Sequence, residues 1–202
     1  MPDQLSSADA DLLAEMKREW TEYRWFYSNK GKEERERWVV GEFLTRLAIP
    51  FGSDELHSPP QHSRVDVEFR DARFQVKEIT SPNFRRNDEI NDTHLRVMGA
   101  KTLADTIGPG FAYDVPPVVS SYDLVRDNAR ELALSEKYID CKENLDLVFY
   151  VTRTRASIIQ VHDINPEELS SSGWRSVSYL MGKHALVLCA AVDAPSFLCT
   201  SR

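Results

Sequence analysis

Two runs of strict alternation between residues 65 and 79 constrain this chain more than any other feature. Val65, Val67 and Phe69 alternate with Asp66 and Glu68, and after Arg70-Asp71-Ala72-Arg73 the pattern resumes with Phe74 and Val76 against Gln75 and Lys77. A period of two marks a half-buried strand. Two such runs joined by a short polar turn read as a β-hairpin. With Asp71-Ala72 as the two-residue loop, Asp66 faces Lys77 and Glu68 faces Gln75. Successive side chains of a strand point to opposite faces, so Asp66, Glu68, Gln75 and Lys77 share one face. Val65, Val67, Phe69, Phe74 and Val76 share the other, and that face must be covered.

The flanking sequence supplies helices to cover it. Lys32 to about Leu47 reads as a helix with an apolar face of Val39, Val40, Phe43, Leu44 and Leu47. Glu36 falls in line with Val40, Phe43 and Leu47 by the i, i+4, i+7 rule, which turns its carboxylate toward the buried side. Ser6 or Ser7 caps an earlier helix that runs to about Ser28, with Gly31 as the stop. Its stripe of Leu12, Leu13, Met16, Trp20, Tyr23 and Tyr27 reads as core. A further helix is expected up to Ile107, then a loop over 114–121 and a helix from Tyr122 to about Ile139. Leu145–Thr152 reads as a buried strand and Ser157–Val161 as a second. Pro166 opens a short helix, and Val177–Leu180 and Ala185–Val192 are strand candidates. This order predicts an α/β protein, with a restriction-endonuclease-like mixed central sheet flanked by helices. A single domain over 1–202 is expected. In it the first 30 residues pack on a core of about 31–161, and 162–202 extends the sheet.

Composition narrows the function classes. The chain has 202 residues, 42% hydrophobic and 28% charged, as in ordinary globular proteins. No apolar run approaches the roughly 20 residues of a membrane span. The acidic, polar start MPDQLSSADADLL is unlike a signal peptide, so a cytoplasmic protein is expected. Cys141, Cys189 and Cys199 fit neither a zinc pattern nor a disulfide framework. A formal net charge of −7 opposes broad phosphate binding, so contact with a polyanion would need local cations or a metal.

The polar face of the hairpin carries what phosphodiester hydrolysis needs. Carboxylate and amide oxygens suit Mg²⁺, which prefers oxygen ligands and keeps several waters. A metal generates hydroxide and stabilises developing charge, and a neighbouring lysine orients the water or neutralises the transition state. Glu36, then Asp66, then Gln75-Val76-Lys77 resembles the motif order of the PD-(D/E)XK nuclease superfamily, a helix Glu followed by Asp and (D/E)-x-K on the next strand. Gln75 replaces the usual acid, as in restriction enzymes of the Mrr type, and Val65 stands where the motif has proline. A broader resemblance covers most of the chain. Glu33-Glu34-Arg35-Glu36-Arg37-Trp38-Val39, Ile49-Pro50-Phe51, Phe69-Arg70-Asp71-Ala72-Arg73-Phe74, Gly173-Trp174-Arg175-Ser176 and Asp193-Ala194-Pro195-Ser196-Phe197-Leu198 look like a bacterial family of unknown function, number 1780, described as endonucleases.

These resemblances imply a divalent-metal-dependent endonuclease acting on DNA, with Mg²⁺ or Mn²⁺ as cofactor. The expected catalytic residues are Glu36, Asp66, Gln75 and Lys77, with Asp66, Gln75 and Glu36 as metal ligands and Lys77 activating water. Arg35, Arg37, Arg85 and Arg86 are the expected nucleic-acid contacts. Two copies pairing as a homodimer would let such an enzyme cut both strands. The alternative is a catalytically silent nuclease-like fold that binds nucleic acid or protein. His94 and Lys101, on the helix after the hairpin, are further polar candidates. Trp174-Arg175 reads either as core or as a stacking platform.

Overall fold

The computed structural model describes residues 6–60, 62–81, 85–108, 118–152, 158–160 and 165–199. The chain forms two compact units, one of Met1–Arg35 with Asn83–Tyr113 and the other of Glu36–Pro82 with Asp114–Arg202.

The first unit is helical. The Ser6 hydroxyl accepts the Asp9 N–H at 3.1 Å and caps α1, Ser7–Tyr27. Gly31 follows because a Cβ there would lie 2.5 Å from the Trp25 carbonyl oxygen. Of α1 only Leu13 is buried. Leu12 and Tyr23 of the expected core stripe are 48% and 44% exposed, so that stripe is a surface in large part. Within this unit α1 packs along α3, Arg86–Gly99. Lys17 donates to the Ala100 carbonyl at 2.9 Å, and Arg24 Nε donates to Asn91 Oδ1 at 2.8 Å. The helix ends at Gly99 rather than at the expected Ile107. The Asp105 carboxylate accepts the N–H groups of Thr102 (2.8 Å) and Lys101 (3.0 Å), which starts a separate 3₁₀ turn over Ala104–Thr106. Those N–H groups, Thr102 first, hold the Asp105 carboxyl below its usual range.

The second unit is built on a five-stranded sheet in the order β1-β2-β4-β6-β7. The strands are β1 Val67–Phe69, β2 Ala72–Ile79, β4 Asp146–Val151, β6 Ser176–Met181 and β7 His184–Ala190. β2, β4 and β6 run parallel, while β1 and β7 are antiparallel edges. The fold class is therefore mixed α/β, as expected, with helices flanking a mixed sheet. β3, Val118–Ser120, pairs in parallel with β5, Ile158–Gln160, in a small second sheet. β3 falls at the end of the segment expected to be a loop; 114–117 lie outside the described residues. A three-residue strand whose partner among the described residues is 40 residues away in sequence leaves no local periodicity to detect.

Side-chain alternation assigns the two faces of the large sheet to two cores. Phe74, Val148, Leu180 and Val187 pack with Val67, Phe69 and the buried stripe Val39, Val40, Phe43 and Leu44 of α2, Lys32–Arg46. Burying each such side chain contributes about 1.5–3 kcal/mol. Leu147, Phe149, Val177 and Tyr179 face the other way, toward Tyr122, Val125, Ala129 and Ala133 of α4, Ser121–Ala133. α4 ends at Ala133, short of Ile139, and the turns that follow carry Tyr138 into this second core. Two short helices, α5 (Pro166–Ser170) and α6 (Ser196–Cys199), complete the unit.

The hairpin register differs from expectation. Glu68 pairs with Arg73 and Phe69 with Ala72, so Arg70-Asp71 is the loop. Arg70 adopts φ +52° and is anchored there: its guanidinium donates to the Pro50 carbonyl at 2.9 Å and lies 4.5 Å from the Phe69 ring centroid. Sliding the turn by one residue shifts every cross-strand partner by two, so the residues of the two strands keep their faces, but Val65, ahead of β1, packs with the second core rather than with Val67 and Phe69 as expected.

Candidate active site

Asp66 sits just ahead of β1, half-buried. Its N–H donates to the Phe74 carbonyl at 2.8 Å. Its carboxylate Oδ2 accepts the Val76 N–H at 2.9 Å and the side-chain amide of Gln75. A side-chain oxygen thus stands in where a neighbouring strand would offer a main-chain carbonyl. Gln75 is only 1% exposed. Its Nε2 donates to Asp66 and lies 3.4 Å from the Val76 carbonyl, while its Oε1 accepts the Tyr138 hydroxyl at 3.1 Å. A buried carboxamide needs partners at both ends, and this one has them.

Lys77 lies on the same face, half-buried, with its ammonium 5.6 Å from the Tyr138 ring centroid. Lys137 approaches that ring at 4.9 Å. A ring face attracts cations, so Tyr138 holds both lysines nearby while its hydroxyl fixes Gln75. The Lys77 ammonium makes no hydrogen bond or ion pair among the described residues. Tyr138 escaped sequence reading because it lies outside the motif, beyond the true end of α4. Its only signal is an aromatic residue that directly follows the polar run Ser135-Glu136-Lys137.

The structure thus brings Asp66, Gln75 and Lys77 together, and Asp66 bonds to Gln75 rather than facing Lys77. Glu36 is placed differently. It is buried on α2, the helix that packs with Phe74, Val148 and Leu180. Gln75 and Lys77 point to the opposite face. The expected convergence of all four on one face therefore holds for the hairpin residues only, because helical phase says which way Glu36 turns but not which side of the sheet its helix covers.

A divalent cation can be tested against these groups. Among the described residues no three His, Cys, Asp or Glu side chains cluster as ligands. The oxygen donors at hand are the Asp66 carboxylate, the Val76 carbonyl and the Gln75 amide. As oriented, the Gln75 NH₂ fills the point between the first two. Turned by half a rotation, the amide would present oxygen there, and the Tyr138 hydroxyl, donor and acceptor alike, would accept from the nitrogen instead. The set fits a hard, oxygen-preferring ion in that second orientation.

The expected nucleic-acid contacts are engaged internally, with one exception. Arg35 donates to the Phe26 carbonyl at 2.5 Å, which terminates α1. Arg37 donates to the Ser58 hydroxyl at 2.7 Å. The Arg86 guanidinium lies 4.8 Å from the Tyr27 ring centroid, and Arg85 is exposed at the start of α3. Trp174 is core, its indole N–H donating to the Ala129 carbonyl at 3.0 Å. Arg175 is no stacking platform. It forms a buried two-point ion pair with Asp146, which also accepts the Ser176 hydroxyl at 2.8 Å and the Arg73 N–H at 2.9 Å. A charged residue heading the apolar run of β4 was the sequence signal for this pair.

A family model described as "Putative endonuclease, protein of unknown function (DUF1780)" matches residues 8–202. This chain belongs to the DUF1780 family. Among solved structures, the DUF1780 chain is similar to PA4535 from Pseudomonas aeruginosa strain PAO1, described as a protein of unknown function of the monooxygenase superfamily. The two are 23% identical, with a TM-score of 0.60 over 94% of this chain and 90% of that one. That likeness establishes a shared fold. No curated protein matches the chain. No helix among the described residues is long and apolar enough to cross a membrane.

Proposed function

We propose that this DUF1780-family chain is a divalent-metal-dependent endonuclease that hydrolyses phosphodiester bonds of DNA at the face formed by Asp66, Gln75 and Lys77. The observation that carries the reading is the Lys77 ammonium, which has no hydrogen bond or ion pair among the described residues and is held by Tyr138 beside the Asp66–Gln75 pair. The family description supports it. Asp66, the Val76 carbonyl and Gln75 with its amide turned would hold a Mg²⁺ or Mn²⁺ ion, which when bound would supply Lewis acidity toward water and the phosphoryl oxygens. Lys77 orients the attacking water and stabilises charge on the phosphoryl oxygens. Tyr138 positions Gln75 and the Lys77 stem. Glu36, on the other face of the sheet, has no ligand role in this reading. Arg85 is the cation left for phosphate contact, and cutting both strands of a duplex calls for two copies of the chain.

The closed Gln75–Asp66 hydrogen bond favours a second reading, a catalytically silent fold that binds nucleic acid or protein. Plasmid nicking with Mg²⁺ or Mn²⁺ separates the two. Wild type nicks and Lys77→Ala loses roughly 10²–10⁴ of the rate if the lysine handles the proton. Equal rates in both sink the assignment, and a folded, inactive wild type leaves the binding reading.

A further inference from the structure

The first unit carries a feature that the hairpin site does not use. A cavity of about 520 Å³ opens between α1 and α3, within the roughly 300–1,000 Å³ of small-molecule sites. Its lining contains no Asp or Glu, although the chain has 32 acids against 25 Lys and Arg.

The wall instead offers three kinds of group. Arg24 and Lys30 are fixed positive charges. Arg24 uses Nε on Asn91, which leaves the terminal nitrogens of its fork, and the Lys30 ammonium has no hydrogen-bonded or ionic partner among the described residues, its backbone N–H alone donating to Ser28. Trp25, 45% exposed, supplies an aromatic face, while the Tyr27 ring is taken by Arg86. Asn87, Asn91 and His94 supply donors and acceptors. The His94 Nδ1 is buried and has no hydrogen-bond partner among the described residues. A buried, unpaired ring nitrogen is costly unless something completes it.

Cations bind phosphate, with the Arg fork suited to two oxygens at once. Aromatic faces stack on bases whatever their sequence. Amide and imidazole groups read base edges. We propose that this cavity is a binding site for a single unstacked nucleotide, its phosphate on Arg24 and Lys30, its base on Trp25, and a base edge completing His94. The site is independent of the Asp66–Lys77 face and stands whether or not that face cuts.

The probes are adenosine monophosphate and a 5′-phosphorylated single-stranded oligothymidine, titrated into the full-length chain by calorimetry at low salt. Binding of either probe, weakened at least about tenfold in Arg24→Gln and in Trp25→Leu and unchanged in Lys77→Ala, supports the site. Tighter binding of the nucleotide marks a free ligand, and tighter binding of the strand marks a nucleic-acid end. Trp25 and Arg24 are both exposed, and circular dichroism checks that the variants fold. Three results overturn the proposal. One is binding of neither probe. Another is inorganic phosphate binding as tightly as the nucleotide, which leaves no role for the aromatic face. The third is binding that Lys77→Ala abolishes and the cavity variants leave intact.

Discussion

Gln75→Glu is the most informative single change, because it places a second carboxylate at a position that is 1% exposed and bonded to Asp66. Two carboxylates would then share one hydrogen-bond distance out of water. Burial and a like charge both raise a carboxyl pKa, and a rise of about 2–3 units corresponds to about 3–4 kcal/mol at 1.36 kcal/mol per unit. The Tyr138 hydroxyl still donates to the new group and keeps the shift from growing larger. The new carboxyl titrates near 4.3 in the unfolded chain and higher in the folded one. Between those values the folded state binds more protons, so stability falls as pH rises through that window. Urea unfolding at about pH 8 therefore shows the variant less stable than wild type by about 3 kcal/mol, and the gap narrows toward pH 4–5. Magnesium at a hundredfold excess over its Kd returns about 2.7 kcal/mol to the variant. A variant as stable as wild type at alkaline pH without metal would refute the Asp66–Gln75 geometry. A gap that magnesium leaves unchanged would refute the ligand assignment.

Asp146→Ala strips the buried Arg175 guanidinium of its counter-ion, together with acceptors for Arg73 and Ser176; a loss of about 3–5 kcal/mol is expected by urea unfolding. Asp146→Leu with Arg175→Met recovers most of it, and a single-variant loss under about 1 kcal/mol would contradict a structural role. Tyr122→Phe tests alkaline stability. Burial, and then the Glu168 carboxylate, raise the Tyr122 hydroxyl, so the unfolded chain ionises first and stability falls above about pH 10. The variant loses about 1 kcal/mol at neutral pH with its bond to the Asn165 carbonyl, but its alkaline decline is shallower; an unchanged alkaline slope would assign that decline to other groups.

What could be read in the sequence was what local periodicity encodes. The Ser6 cap, the hairpin faces and the apolar run of β4 all rest on residues a few positions apart. The hairpin register did not, because Asp71 and Arg73 are held by Arg175 and Asp146, more than seventy residues downstream. The end of α3 was set by one carboxylate, Asp105, competing for backbone N–H groups. For the site, alternation found Asp66, Gln75 and Lys77, whereas Tyr138 depends on where the turns after α4 carry the chain and the layer of Glu36 on which face of the sheet α2 covers. The aromatic residues of α1 have helical spacing, yet spacing alone does not distinguish a core stripe from the wall of an open cavity.

The bond from the Val76 N–H to Asp66 makes a main-chain amide part of the site. Whatever draws the carboxylate away, a cation or a phosphate-bound water, uncovers that amide to solvent. The exchange rate of one backbone proton on β2 thus becomes an internal clock for occupancy of the site, readable without substrate or turnover. Tight packing of the strand beyond it, where Gln75 pairs with Leu147 and Val76 with Val148, keeps the opening local rather than letting the hairpin peel away.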